Sequence, residues 1–464
     1  MPDSLKHQTG SMTGLTESLS LFIAKPDFAT LPAAAARIVK TGFIDTVATM
    51  LAGRDEPVVR IVREFVAGRR SSAREAHVLL SGEMAASADA TLINATAAHA
   101  LDYDDVALGG HPSVVLVPAV LAAGQSINAS GADALRAYLI GYEVWAELLS
   151  REPDAYHVKG WHPTAVLGTV AATAALANLH HLSAAQCRNA LALAASMASG
   201  LVANFGTMTK PLHAGRAAAC AVEAIHFTMG GLTAAPDALE HHAGYLAALS
   251  PRGRADRVTP TSVLGRHLRI LDTGLSIKRY PMCYATHRVI DGVLDLVTAN
   301  DVKPADVAQV FPSVGVAQAS MLRNHAPGTG LEAKFSLEFA VASALIARNV
   351  GLRELTDGFV TQPQVQDMMT RVTTSTTETH CPIEPIFALT DRVAIELADG
   401  RRLDSGEIRF ARGNAKLPLD DAQLKAKFLD CAAGANDVEA IALYERLNAL
   451  ENLDSVRNLV IRNR

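Results

Sequence analysis

The chain has 464 residues, 49% of them hydrophobic and 19% charged, with a formal net charge of −5. That is enough apolar material for a large core spread over two or three domains. With no basic stripe, aromatic-studded basic loop or polyanion-binding tail, nucleic acid is excluded as a partner. The most apolar stretch, SVVLVPAVLAAGQSI, is broken by Pro118 and is too short to span a bilayer, so no membrane association is expected.

The opening MPDSLKHQTGSMTGLTESLSLF lacks a charged start followed by an apolar run. It reads as a flexible tail over 1–20 leading into a helix, not as a signal peptide. Five cysteines, Cys187, Cys220, Cys283, Cys381 and Cys431, are odd in number and scattered, with no CxxC and no Cys/His ligand cluster. Reduced thiols in a cytoplasmic protein are the simplest reading. From 21 to 269 the sequence predicts helix after helix: LPAAAARIVKTGFIDTVATMLAG, DATLINATAAHALDYDD, GADALRAYLIGYEVWAELLSR, HPTAVLGTVAATAALANLHHL, SAAQCRNALALAASMASGL and KPLHAGRAAACAVEAIHFTMGGL. Ser183 opens the fifth of these. Pro211 starts the sixth, which stops at Gly230–Gly231, the usual order of helix punctuation. Abundant Ala and Gly let helices approach closely, and no sustained heptads are present.

The texture changes near 270. VAQVFPSVGVAQAS, RVTTSTTE and RVAIELADGRRLDSGEIRFARG are strand-like, and Asp399–Gly400 marks a hairpin. HRVIDGVLDLVTAND and SLEFAVASALIARN are interleaved helices. Residues 270–405 therefore read as a smaller α+β domain, and 406–464 as C-terminal helices packing back on the all-α domain. The fold class is mainly α.

Four stretches could carry chemistry. GGHPSVVLV and GWHPTAVLG each place His-Pro ahead of an apolar helix. Proline at the first helical position sets His111 and His162 at helix mouths, where exposed N–H groups attract anions and disfavour an imidazolium. A neutral imidazole beside an anion site suits a general base; the bland reading is a polar residue ahead of a helix. In HALDYDDVALGGHPS, Asp102 and Asp105 are three apart and could share a helix face, with His99 a turn behind Asp102. A metal-dependent hydrolase built on Asp102, Asp105, His99 and His111 is one alternative. It lacks the adjacent His-Asp doublet of helical metal phosphohydrolases, and no resident metal is expected. An acidic helix end bonded to its following loop is the other reading. In NFGTMTKPLHAGRAA, Lys210 at a helix mouth makes a seat for carboxylate or phosphate, with His213 one turn in for packing or orientation. In SIKRYPMCYATHR, Cys283 could be a thiolate helped by Lys278 or Arg279, or a small pocket-lining residue beside His287. No GxGxxG, GxSxG or GxxxxGK[ST] is present.

Taken in order, HALDYDD…GGHPS, GWHPTAVLGTVAATAA, NFGTMTKPLHAGRAA, KRYPMCYATH and TGLEAKFSLEFAVA resemble the MmgE/PrpD superfamily from about residue 20 to 440. The resemblance implies a large all-α domain with a smaller α+β lid domain, a homodimer, no cofactor, and action on a small di- or tricarboxylate substrate. It implies catalytic roles for Asp102, His111, His162 and Lys210 and substrate binding by Lys278, Cys283 and His287. Family chemistries include epimerisation of iminodisuccinate, decarboxylation of cis-aconitate and dehydration of 2-methylcitrate. GWHPT, NFGTMTKP and P-x-CYA-x-H look most like the iminodisuccinate epimerases. Val106 stands where the decarboxylases have a threonine, and Met282–Cys283 where they have a histidine. The expectation is therefore an epimerase abstracting a proton alpha to a carboxylate, with a family lyase as the alternative and a non-catalytic helical scaffold as the remoter one.

Overall fold

A computed structural model describes residues 13–26, 31–261, 263–384 and 386–460. Residues 1–12 of the flexible tail expected over 1–20 lie outside them, but from Leu15 the remainder is helix, with Leu15 and Leu19 buried in the core. The chain divides into two compact units. One holds the described residues up to Ala98, Ala107–Gly274 and the stretch from Ala432 onward. The other holds His99–Val106 and Leu275–Cys431.

The first unit is helical. Its main elements are α1 (Leu15–Ala24), α2 (Ala33–Ala52), α3 (Pro57–Gly68), α4 (Ser87–His99), α5 (Ser113–Ile127), α6 (Gly131–Ser150), α7 (Pro163–Leu179), α8 (Ala184–Met197) and α9 (Thr209–Met229). The hub is α7. Every one of its residues is buried, and it packs against α5, α6, α8 and α9. A helix apolar all round has no solvent face. Thr169 and Thr173, which would leave hydroxyls stranded, bond back to the carbonyls of Ala165 (2.9 Å) and Thr169 (2.8 Å). Local signals place the ends: Ser183 and Gln186 form a capping box on α8, and Ser130 caps α6 through Asp133 N–H. Helix α5 runs straight through Pro118, where the sequence reading broke the stretch, because its other turns are buried and bonded. Among the described residues no helix is long and apolar enough to cross a membrane. All five cysteines are buried.

The second unit is built on a four-stranded sheet of β1 (Val307–Gly315), β2 (Ser375–Thr377), β3 (Arg392–Leu397) and β4 (Arg402–Asp404), in the order β2-β1-β3-β4. β1 runs parallel to β2 and antiparallel to β3. Asp399–Gly400 closes the β3–β4 hairpin, with Gly400 at φ 85°. The strand-like VAQVFPSVGVAQAS is a strand only to Gly315; Val316–Met321 is helix. Helices His287–Asn300, Leu337–Ile346 and Pro363–Thr370 supply the core against the sheet through Val289, Val293, Phe339 and Met368. Near the chain end, Gly131 N–H bonds Leu453 O (2.8 Å) and Val456 N–H bonds Ala129 O (2.9 Å), tying the segment from Ala432 onward into the first unit, whereas residues 406–431, expected to pack there too, belong to the second.

Small residues set helix spacing. A Cβ on Gly141 of α6 would lie 2.6 Å from Leu116 and 2.9 Å from the Ala171 carbonyl. Alanine gains helix propensity but cannot displace a backbone carbonyl. Gly141→Ala should therefore lower thermal stability by about 1–3 kcal/mol. Gly358→Ala, at an exposed position with nothing within 4 Å, should change it by less than about 0.5 kcal/mol. Thermal unfolding followed by circular dichroism separates the two.

Candidate active site

In the first unit, the starts of α5, α7 and α9 converge. His162 is the N-cap of α7 with Pro163 following, as the His-Pro pattern predicts. The other pair is offset by one: Pro112 occupies the N-cap of α5 and His111 precedes it. The two motifs touch, since His111 N–H donates to Thr164 Oγ1 at 3.2 Å. Gly110 allows the approach. A Cβ there would lie 3.0–3.1 Å from Trp145 and from Thr164 N and Oγ1.

His162 is 2% exposed, and its backbone N–H donates to Gly200 O at 3.0 Å. Its Nδ1 lies 3.2 Å from Nδ1 of His213, and the edge of Phe205 packs against its ring at 4.8 Å. Lys210, in the first turn of α9, is buried, with its ammonium 5.5 Å from the Phe205 ring centre. His213 follows one turn on. Burial, then the Lys210 charge, hold its pKa below the ordinary imidazole value. Burial, His111 and Lys210 do the same to His157. The group thus comprises the predicted His111, His162 and Lys210 and the His213 expected to pack or orient, with His157 and Phe205 added. The added residues had thin signals: His157 precedes His162 by five.

In the second unit, α4 stops at His99, so Asp102 and Asp105 do not share a helix face. The reason is backbone: Asp102 takes φ 52°, and its N–H turns back to His99 O at 3.2 Å. Asp104 accepts from His99 Nδ1 at 2.9 and 3.1 Å, both side chains being fully buried. Lys278, 1% exposed, donates to Asp102 O at 2.6 Å and lies 3.1 Å from its carboxylate. Lys427, which the sequence did not single out, donates to Tyr103 O and Lys278 O, each at 2.8 Å, and its ammonium lies 4.0 Å from the Tyr103 ring centre. His99, Asp102 and Asp104 offer ligand atoms within 4.8 Å of one another. A divalent ion there would have to share Asp102 with an ammonium, so the donor set suits an ion pair better than a metal.

Of the predicted substrate-binding residues, Lys278 turns to Asp102 while Arg279 lies over the Tyr280 ring. Cys283 is 9% exposed and donates its backbone N–H to Lys334 O at 2.9 Å. His287 is fully buried between the rings of Tyr280 and Tyr284, 5.1 and 5.0 Å away, with Nδ1 unbonded. Burial first, then Lys278 and Lys427, lower its pKa to about 3 against the pull of the Met282 carbonyl and Asp102.

Two outcomes follow. Lys278→Met removes the partner of a buried carboxylate and should cost about 3–5 kcal/mol of stability, with Lys278→Met/Asp102→Asn recovering part of it. His287 stays neutral in the fold down to about pH 3, while the unfolded chain protonates it below about 6.5. Stability should therefore fall as pH drops from about 6.5 toward 3. His287→Phe should flatten that slope in urea midpoints taken at about pH 7 and about pH 5.

Comparison with known proteins identifies the family. The model of the MmgE/PrpD N-terminal domain matches residues 17–257, and that of the MmgE/PrpD C-terminal domain matches 280–448. Cis-aconitate decarboxylase of Mus musculus is 28% identical over 389 residues, 80% of this chain and 78% of that one. The Homo sapiens cis-aconitate decarboxylase is 28% identical over 350 residues, 73% and 71% of the two chains. That of Aspergillus terreus is 23% identical over 365, or 73% and 72%. With both domain models matched along its length and decarboxylases among its relatives, this chain is an enzyme of the isomerase or lyase kind and belongs to the MmgE/PrpD family.

Proposed function

We propose that the enzyme removes a proton alpha to a carboxylate of a small di- or tricarboxylate, as an epimerase of the iminodisuccinate type. The observation that carries this is the convergence of three helix starts bearing His111, His162 and Lys210. Such a proton is weakly acidic, so the dianionic enolate left behind must be stabilised. An ammonium and helix N-termini aimed at the carboxylate supply that stabilisation. Lys210 binds and polarises the carboxylate, and His162 takes the proton. His111 is the opposing acid that returns one to the other face. In the second unit, the Asp102 carboxylate held by Lys278 is assigned as a further functional group, with Cys283 and His287 lining that region. The reading includes a homodimer in the cytoplasm and chemistry carried by side chains alone.

Decarboxylation is the second reading. The named relatives favour it. Val106 and Met282–Cys283 weigh against it, because they lack the hydroxyl and imidazole of the decarboxylases. Val106 is spent on a backbone bridge to Ser276, and Met282 is fully buried.

The test is incubation in D₂O with iminodisuccinate, cis-aconitate and 2-methylcitrate, followed by proton NMR. Epimerisation exchanges the alpha proton with every carbon retained; decarboxylation releases CO₂; dehydration removes water. His162→Gln should slow the active reaction about 10²–10⁴-fold. Lys210→Met should cut kcat/KM at least about tenfold, largely through KM. No exchange, loss of CO₂ or elimination with any of the three would refute the substrate class.

A further inference from the structure

The assignment of His162 as base leaves open which of its two nitrogens does the work and what holds the ring. The inference here deepens that reading and rests on it. His162 and His213 meet through Nδ1 atoms 3.2 Å apart. Two imidazole nitrogens at hydrogen-bond distance share one proton: one ring donates and the other accepts. The rings are therefore in opposite tautomers, and whichever carries its proton on Nδ1 has its lone pair on Nε2.

Both rings are fixed from several sides. His162 is the N-cap of α7, its N–H held by Gly200 O at 3.0 Å, with the Phe205 edge at 4.8 Å and 82° to its plane. His213 projects from the second turn of α9, and Gly200 packs against it. A Cβ on Gly200, at φ 146°, would sit 2.7 Å from Ala165 and 3.3 Å from the His213 ring. One backbone residue thus spaces the start of α7 from the His213 ring.

We propose that His213 is a positioning residue that accepts the Nδ1–H of His162, fixes its tautomer and presents Nε2 as the base. The alternative direction, with His213 donating, would put a proton on Nε2 of His162 and make it an acid. Burial, then Lys210, hold the His213 pKa below the ordinary imidazole value, so the charge gained in the step is better placed on His162 than on His213. When His162 Nε2 takes the substrate proton, the C–H electrons remain on the substrate as the enolate. The positive charge stays on His162, where the bond to His213 stabilises it. His111 then delivers a proton to the opposite face, and His162 Nε2 gives up the proton it took before the next turnover.

The test reads the tautomer directly. Protein labelled with ¹⁵N-histidine is examined by long-range ¹H–¹⁵N correlation at mildly alkaline pH, in wild type, His213→Phe and His213→Asn. The expected wild-type result is His162 with Nδ1–H and a lone-pair Nε2, and His213 with the reverse. In His213→Phe, His162 should move to the Nε2–H form, with kcat down about 10–100-fold and KM little changed. His213→Asn, whose amide oxygen reaches the Nδ1 position, should restore the His162 tautomer and most of kcat. Wild-type His162 carrying its proton on Nε2, or a His162 spectrum indifferent to both substitutions in folded protein, would overturn the proposal. The spectra need no substrate, so loss of the carboxylate reading would leave this result standing on its own.

Discussion

The first unit depends on the close approach of α5 and α7 at their starting turns. Trp145, fully buried on α6, lies beneath both. Its ring would be 3.0 Å from a Cβ on Gly110 and 3.2 Å from one on Gly168, and its indole N–H donates to Leu108 O at 3.1 Å. Only glycine at those positions lets the two His-Pro turns meet. The contact between His111 N–H and Thr164 then locks their relative height. A helix mouth alone binds anions weakly and without direction. Several mouths held in register by packed backbone make a seat whose geometry does not depend on the ligand, which is the condition for electrostatic preorganisation.

The second unit uses buried charge differently. Two lysines, Lys278 and Lys427, are spent on backbone carbonyls and one carboxylate around Asp102–Tyr103. Apolar residues could fill that space at less desolvation cost, so stability alone is a poor reason for the arrangement. What the lysines achieve is to hold Asp102 in a left-handed conformation and to fix where its carboxylate points. Close by, His287 is kept neutral first by burial and then by the same two ammonium groups.

Features encoded within a few residues were readable from sequence. The helix start at Ser183, the Asp399–Gly400 turn, the N-cap role of His162 and the mainly α character all follow from local rules. His111 missed its predicted cap by one residue, within the ordinary fraying of helix starts. Long-range partners were not readable. Lys278 meets Asp102 across 176 positions, Lys427 meets Tyr103 across 324, and His213 meets His162 across 51. Residue type says that such groups need partners but not which ones. The expected helix through Asp105 failed for a related reason: ALDYDD is compatible with a helix, and it is the buried bonds of Asp102 and Asp104 that turn the chain after His99.

The central claim is that a substrate carboxylate is received where α5, α7 and α9 begin. A crystal structure with an unreactive tricarboxylate such as tricarballylate tests it most directly. The account predicts one carboxylate within about 3 Å of Lys210 Nζ, with His162 Nε2 facing the adjacent carbon. A ligand bound away from Lys210 and the two His-Pro turns would contradict it.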